Sequence, residues 1–194
     1  MSENDDHGPA TTPARPLPAA DRGLAEAVQE IERHVALGGW DGPVRVFALV
    51  STRQALAAEP TLATQLAPEV LSQAADDAHH LTAVEQEGLP AATSLEELLA
   101  GLSWPATVDG VAVVVERVVL PSAAEEAMPT EPDAALEYLM AHPDRQDVRL
   151  AVGVLRAGGS WCAVRTRAND VDDAVAGGPD LVPGLVEAVA ATLL

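Results

Sequence analysis

The sequence predicts an α+β fold: a single, mostly antiparallel sheet flanked by N- and C-terminal helices, with short helical insertions between strands. Three observations carry that expectation. Leu24, Val28, Ile31 and Val35 recur at helical spacing near the start of the chain. Val111 to Leu120 places apolar residues on both of its faces, as a central strand covered on each side does. Val148 to Arg156 and Ser160 to Arg167 flank Ala157-Gly158-Gly159, the pattern of a hairpin with a glycine-bearing loop.

Taken in order, residues 1–19 are polar and rich in proline (Pro9, Pro13, Pro16, Pro18) and are expected to form a disordered tail, with residues 20–194 as one domain. A helix is expected over 21–37, capped by Asp21 and ended by Gly38-Gly39. Trp40-Asp41-Gly42-Pro43 reads as a turn, and Val44 to Val50 as a strand with Val44, Val46, Ala48 and Val50 on one side. Pro60 inside the Ala- and Leu-rich stretch 52–66 predicts two short helices broken before it. Residues 69–78 read as a further helical turn or two, and 80–87 as a loosely alternating strand. Thr93 or Ser94 caps a short helix through Leu102, with Glu96 or Glu97 completing a capping box. After the strand at 111–120, an acidic loop over 125–131 leads to a helix over 133–141 (Ala134, Leu136, Leu139, Met140). The hairpin follows, and a helix over 180–193 closes the chain.

The chain carries 30 acids against 11 bases, a formal charge of −19, and every base is arginine. Five arginines (Arg145, Arg149, Arg156, Arg165, Arg167) fall within 145–168, where Asp147 is the single acid. So one-sided a charge argues against non-specific binding to nucleic acid or anionic membrane, both of which need a basic face. Cys162 is the lone cysteine, which excludes an intramolecular disulfide and suits a reducing compartment. The acidic start, Met1-Ser2-Glu3-Asn4-Asp5-Asp6, is unlike a signal peptide. No purely apolar run exceeds the five residues of Val111 to Val115, far below the about 20 residues a membrane helix needs. A soluble, cytoplasmic protein is expected. Arginine without lysine, with abundant Ala, Gly, Val and Pro, matches the codon usage of a GC-rich genome.

The hairpin supplies the candidate site. A loop at 157–159 pairs Arg156 with Ser160, Val154 with Cys162, Val152 with Val164 and Leu150 with Thr166, an apolar side that belongs to the core. The opposite side pairs Leu155 with Trp161, Gly153 with Ala163, Ala151 with Arg165 and Arg149 with Arg167. That side is expected to face outward, with Arg149, Trp161, Arg165 and Arg167 as a partner- or anion-binding set. Opposed like charges destabilise a sheet by up to about 1 kcal/mol. Asp170, Asp172 and Asp173, just beyond the strand, offer internal neutralisation; an acidic peptide or small anion gripped by the planar guanidinium forks is the external alternative.

Other constellations are weaker. Asp76, Asp77, His79 and His80, with Glu85 and Glu87 nearby, have metal-ligand residue types without a zinc spacing, and read as a solvated turn. Asn169-Asp170-Val171-Asp172-Asp173 lacks the glycine and glutamate of a calcium loop. Cys162, in an apolar row, reads as an inert buried thiol. No serine sits in a nucleophile elbow and no phosphate-binding loop occurs. No catalytic set, cofactor or metal ligand is therefore assigned. Trp40 and Trp104, beside Gly or Pro at element ends, are expected to close the core.

The element order resembles the secretion-chaperone-like fold, in which a helix, three strands, a helix, two strands and a helix are arranged around one sheet. Gly178-Pro179-Asp180-Leu181-Val182-Pro183-Gly184-Leu185, after an acidic loop and before an Ala/Leu helix, is similar to an uncharacterised actinobacterial family of small acidic cytoplasmic proteins. That resemblance implies no activity. The expected function is a non-enzymatic protein-interaction module, possessing chaperone-like or regulatory duty, that binds a protein partner or itself through the Arg/Trp face. The alternative is a small-anion-binding or metal-dependent enzyme using the same arginines.

Overall fold

The computed structural model describes residues 17–194; of the expected tail over 1–19, residues 1–16 lie outside the described residues and Ala19 already opens a helix. Six strands form one antiparallel sheet in the order β2-β1-β3-β4-β5-β6. Helix α1 (Ala19–Ala36) precedes β1 (Arg45–Ser51). Its stripe of Leu24, Val28, Ile31 and Val35 is buried, as helical spacing requires of a helix laid on a sheet. Helices α2 (Thr52–Ala58) and α3 (Pro68–Asp76), separated by a 3₁₀ turn at Pro60–Thr64, lead to β2 (Leu81–Glu85). The break falls at Pro60, which has no N–H to continue a helix.

Helix α4 (Leu95–Ala100) is capped by Ser94, whose Oγ accepts from Glu97 N at 3.1 Å. The Glu97 carboxylate reaches back to Thr93 N and Oγ, and these hydrogen bonds hold its pKa below the ordinary value. Strand β3 (Gly110–Val119) is central, covered on both faces as its composition predicts. Helices α5 (Ser122–Glu126) and α6 (Pro132–Ala141) fill the connection to β4 (Gln146–Leu155). Strands β5 (Ser160–Thr166) and β6 (Ala176–Gly178) and helix α7 (Pro183–Ala191) complete the chain.

The sheet is the middle of three layers. On one face α1 lies across β4 and β5, packing on Phe47, Leu49, Ala112, Val114, Ala151, Trp161 and Ala163. On the other, α4 and α7 cover Val46, Ala48, Val111, Val113, Val152, Val154 and Cys162. The close approach of α1 needs Gly153: a Cβ there would stand 2.4 Å from Val28 Cγ2.

Two hairpin expectations are corrected. Val154 pairs with Ser160, Val152 with Cys162, Ala151 with Ala163 and Arg149 with Arg165, two residues out of the expected register. The loop is 156–158, one residue earlier than expected, since Leu155 N donates to Gly159 O and Gly158 N to Leu155 O. A slip of two preserves which side chains share a face, because strand side chains alternate with period two. The second correction is exposure. The Arg/Trp side faces inward, because α1 covers it just as α4 and α7 cover the Cys162 side.

Candidate functional site

Of the four residues expected to form an outward binding face, three are buried. Arg149 is 1%, Arg165 2% and Trp161 8% exposed; only Arg167, opening a 3₁₀ turn after β5, is accessible. Trp161 packs in the α1-side core against Gly177 of β6, where an added Cβ would meet the indole at 3.2 Å.

The arginines are held by the protein's own carboxylates. Arg165 Nε and Nη2 donate to the two oxygens of Glu32 at 2.7 and 2.8 Å, a fork-to-fork pair. Nη1 donates to Asp170 at 3.2 Å and Nη2 to Asp172 at 2.6 Å. These bonds, Glu32 first, push the guanidinium pKa further above its usual value. Arg149 donates from Nη2 to Glu116 at 2.8 Å and to Gly39 O, and its Nη1 stands 3.8 Å from Glu32. Glu32, on α1 and 1% exposed, is therefore shared by both arginines that oppose each other on the sheet.

Trp40 joins the same assembly rather than closing the apolar core. Its indole lies 4.4 Å from Arg149 Cζ and 5.3 Å from Arg167 Cζ, within cation–π range. Its Nε1 donates to Asp170 at 2.8 Å. Arg167 meets Asp41 through both terminal nitrogens, and Asp41 N donates to Glu116 at 2.6 Å. Asp41 adopts φ of +66°, a left-handed conformation that aspartate tolerates better than most residues. Trp104 does border the core, donating Nε1 to Thr192 Oγ1 at 3.2 Å.

Internal neutralisation by Asp170 and Asp172 is thus found, while Asp173 takes no part in it among the described residues. Glu32 carries the larger share and was missed. The signal was present, since Glu32 falls four residues after Val28 and three before Val35, a charge on the apolar stripe of α1. The assembly ties α1, the 38–41 loop, β3, β4, β5 and the 167–172 segment together.

The remaining candidates separate. His80 exchanges a 2.8 Å hydrogen bond with Thr52 Oγ1 and lies 3.2 Å from Gln73, while His79 is exposed. No group of three His, Cys, Asp or Glu side chains able to hold a metal ion occurs among the described residues. Cys162 is fully buried.

What the sequence did not reveal lies on the surface. Helix α6 has no buried residue; Leu136 is 60% and Met140 52% exposed, and Met128 just before it is also exposed. Glu131, Asp133 and Glu137 line the same helix without a base among them.

No curated protein matches the chain, and no solved structure does. A protein-family model described as PPA1309-like protein matches residues 24–194, nearly the whole described body, and the chain belongs to that uncharacterised family.

Proposed function

We propose that this protein is a non-enzymatic protein-interaction module, chaperone-like or regulatory, that engages a partner through the α5–α6 arm between β3 and β4. The observation that carries the reading is a helix whose Leu136 and Met140 are left exposed among the described residues. Burying a Leu or Met side chain is worth about 1.5–3 kcal/mol, and α6 forgoes most of that at Leu136 and Met140. Met140 adds an adaptable, polarizable contact of the kind found on binding surfaces. The charge selects the occupant. Glu125, Glu126, Glu131, Asp133 and Glu137 fall in the same stretch as these apolar residues, against Arg145, whose Nη1 reaches Met140 Sδ at 3.4 Å; the acidic excess suits a basic amphipathic helix of a partner protein. A second copy would bring two chains of charge −19 together.

The element order supports a secretion-chaperone-like arrangement: α1, three long or edge strands, α6, the β4–β5 hairpin and α7 follow that sequence, with β6 as an addition. The lysine-free composition and the 178–185 phrase support an actinobacterial source and a cytoplasmic setting. No helix among the described residues is long and apolar enough to cross a membrane. The enzymatic alternative is not favoured, because Arg149 and Arg165 are already engaged by Glu32, Glu116, Asp170 and Asp172.

The test compares wild type with Leu136→Glu/Met140→Glu as baits in native lysate, alongside sedimentation of each alone. Both sites are exposed, so stability should stay within about 0.5 kcal/mol per site. A polypeptide retained by wild type and lost from the double variant is the expected outcome. Identical capture by both, or self-association that the variant abolishes, overturns the partner assignment.

A further inference from the structure

We infer that the free edge of β2, with the groove beside it, accepts an extended, cationic segment of a partner polypeptide as a seventh strand. This surface is separate from the α6 arm and stands whether or not that arm binds.

The backbone phase of β2 is fixed at both ends. Thr52 N donates to His80 O at 3.1 Å and Gln86 N to Val46 O at 2.8 Å. With the register Phe47↔Glu85 and Ser51↔Leu81, Thr82 and Val84 turn their N–H and C=O toward β1. Leu81, Ala83 and Glu85 turn theirs outward, and among the described residues those outward groups meet no donor or acceptor.

The two edges of the sheet differ in how they are guarded. At the far edge β6 is three residues long and stops at Pro179, devices that discourage pairing. Strand β2 runs Leu81-Thr82-Ala83-Val84-Glu85 with no proline and no lysine, and Val84 is 47% exposed. An unguarded edge of that kind is a template for strand addition.

A cavity of about 330 Å³ lies against this edge. Ile31 of α1, Phe47 of β1, and Leu66 and Val70 from the α3 region give it an apolar lining, beside the polar Glu30, His34 and His80. Ala83 and Glu85 share the α1 side of the sheet with Phe47, so every second side chain of an added strand points into this apolar groove. Main-chain hydrogen bonds then supply affinity, and the groove selects an apolar residue at alternate positions. Glu30 on the groove wall and Glu87 just past the strand are not ion-paired among the described residues, and the chain as a whole carries −19. Lys or Arg between the apolar residues leaves on the face opposite the groove, so it answers the net charge of the chain, −19, rather than Glu30 or Glu87 directly.

The probe is an acetylated, amidated heptapeptide alternating Lys and Val, with a Glu/Val peptide as the charge control, read by amide hydrogen exchange on the full chain. Saturating Lys/Val peptide should slow exchange at the Ala83 and Glu85 amides by about tenfold or more, and the Glu/Val peptide should not. Ala83→Pro removes an outward N–H while leaving the β1 ladder intact, and should abolish the effect. Val70→Glu, in the groove wall, is the second variant should the proline disturb folding. Leu136→Glu/Met140→Glu should leave the protection unchanged, which separates this surface from the α6 reading. Unchanged exchange at Ala83 and Glu85, or equal protection by both peptides, overturns the inference. Protection that rises with protein concentration and no peptide makes the occupant a second copy, and overturns it equally.

Discussion

Arg149 and Arg165 stand directly opposite each other on β4 and β5, an arrangement that opposes pairing until a carboxylate comes between them. Glu32 fills that role from α1, and the consequence is asymmetric. Removing one partner of a buried pair leaves an uncompensated charge, at a cost of about 3–5 kcal/mol, whereas replacing the pair by apolar residues is often neutral. Arg165→Ala should therefore destabilise strongly, toward about 3 kcal/mol because Arg149 Nη1 still lies 3.8 Å from Glu32. Urea unfolding monitored by circular dichroism checks this, with Glu32→Gln/Arg165→Met as the companion variant, expected to lose less than Arg165→Ala alone. Equal losses would mean that the charge left behind is already satisfied. Arg167, exposed and paired with an exposed Asp41, belongs to another class, and Arg167→Ala should cost far less than Arg165→Ala in the same measurement.

Among elements, the 38–41 loop and the 167–172 segment are joined to each other through Trp40, Asp170, Asp41 and Arg167. The Trp40 indole N–H, and after it Arg165, hold the Asp170 carboxyl below the usual aspartate value; Arg167 does the same for Asp41. A depressed folded-state pKa stabilises above the unfolded value, about 3.9, and that contribution disappears as pH falls through the folded value. The two segments should then separate in acid below about pH 3.9 and stay joined at neutral pH. Trp40 fluorescence should report the step, and Asp170→Asn, which keeps an acceptor oxygen but does not titrate, should flatten it. A step that persists in Asp170→Asn, or that is absent from Trp104 and Trp161 single-Phe variants, would place the acid-sensitive contact elsewhere.

The same elements show what was legible from sequence. Period-3.6 and period-2 patterns located α1, β1, β3, β4 and β5, and Pro60 located the break before the 3₁₀ turn. Face composition of the hairpin survived because the register error was even. Its orientation did not, because a strand's own residues do not say whether a helix distant in sequence covers both sides. Gly153 held that information: a side-chain-free position beside Ala151 and Ala163 marks where α1 comes close. Strand β6, three residues long with two glycines, had too little pattern to be seen, and the exposure of α6 is a property of what fails to pack on it.

For the whole molecule, 30 acids against 11 bases make repulsion the commoner interaction between surface charges. The bases do not relieve it evenly. Arg149 and Arg165 are buried with Glu32, Arg45 is bound to Glu85 and Arg167 to Asp41, so much of the remaining acidic surface has no nearby cation. Added salt acts on the two populations in opposite directions. It screens long-range repulsion, with a Debye length of about 10 Å at 0.1 M, and it also weakens exposed pairs worth up to about 1 kcal/mol each. The buried Glu32–Arg165 contact is screened little. Repulsion therefore dominates the balance, and Tm should rise as sodium chloride is raised from about 0.01 to about 0.3 M, most steeply at the low end. Differential scanning calorimetry across that range is the measurement. A Tm that falls with salt would show that the exposed Arg45–Glu85 and Arg167–Asp41 pairs outweigh the net charge, and would make local ion pairing the main electrostatic contribution to this fold.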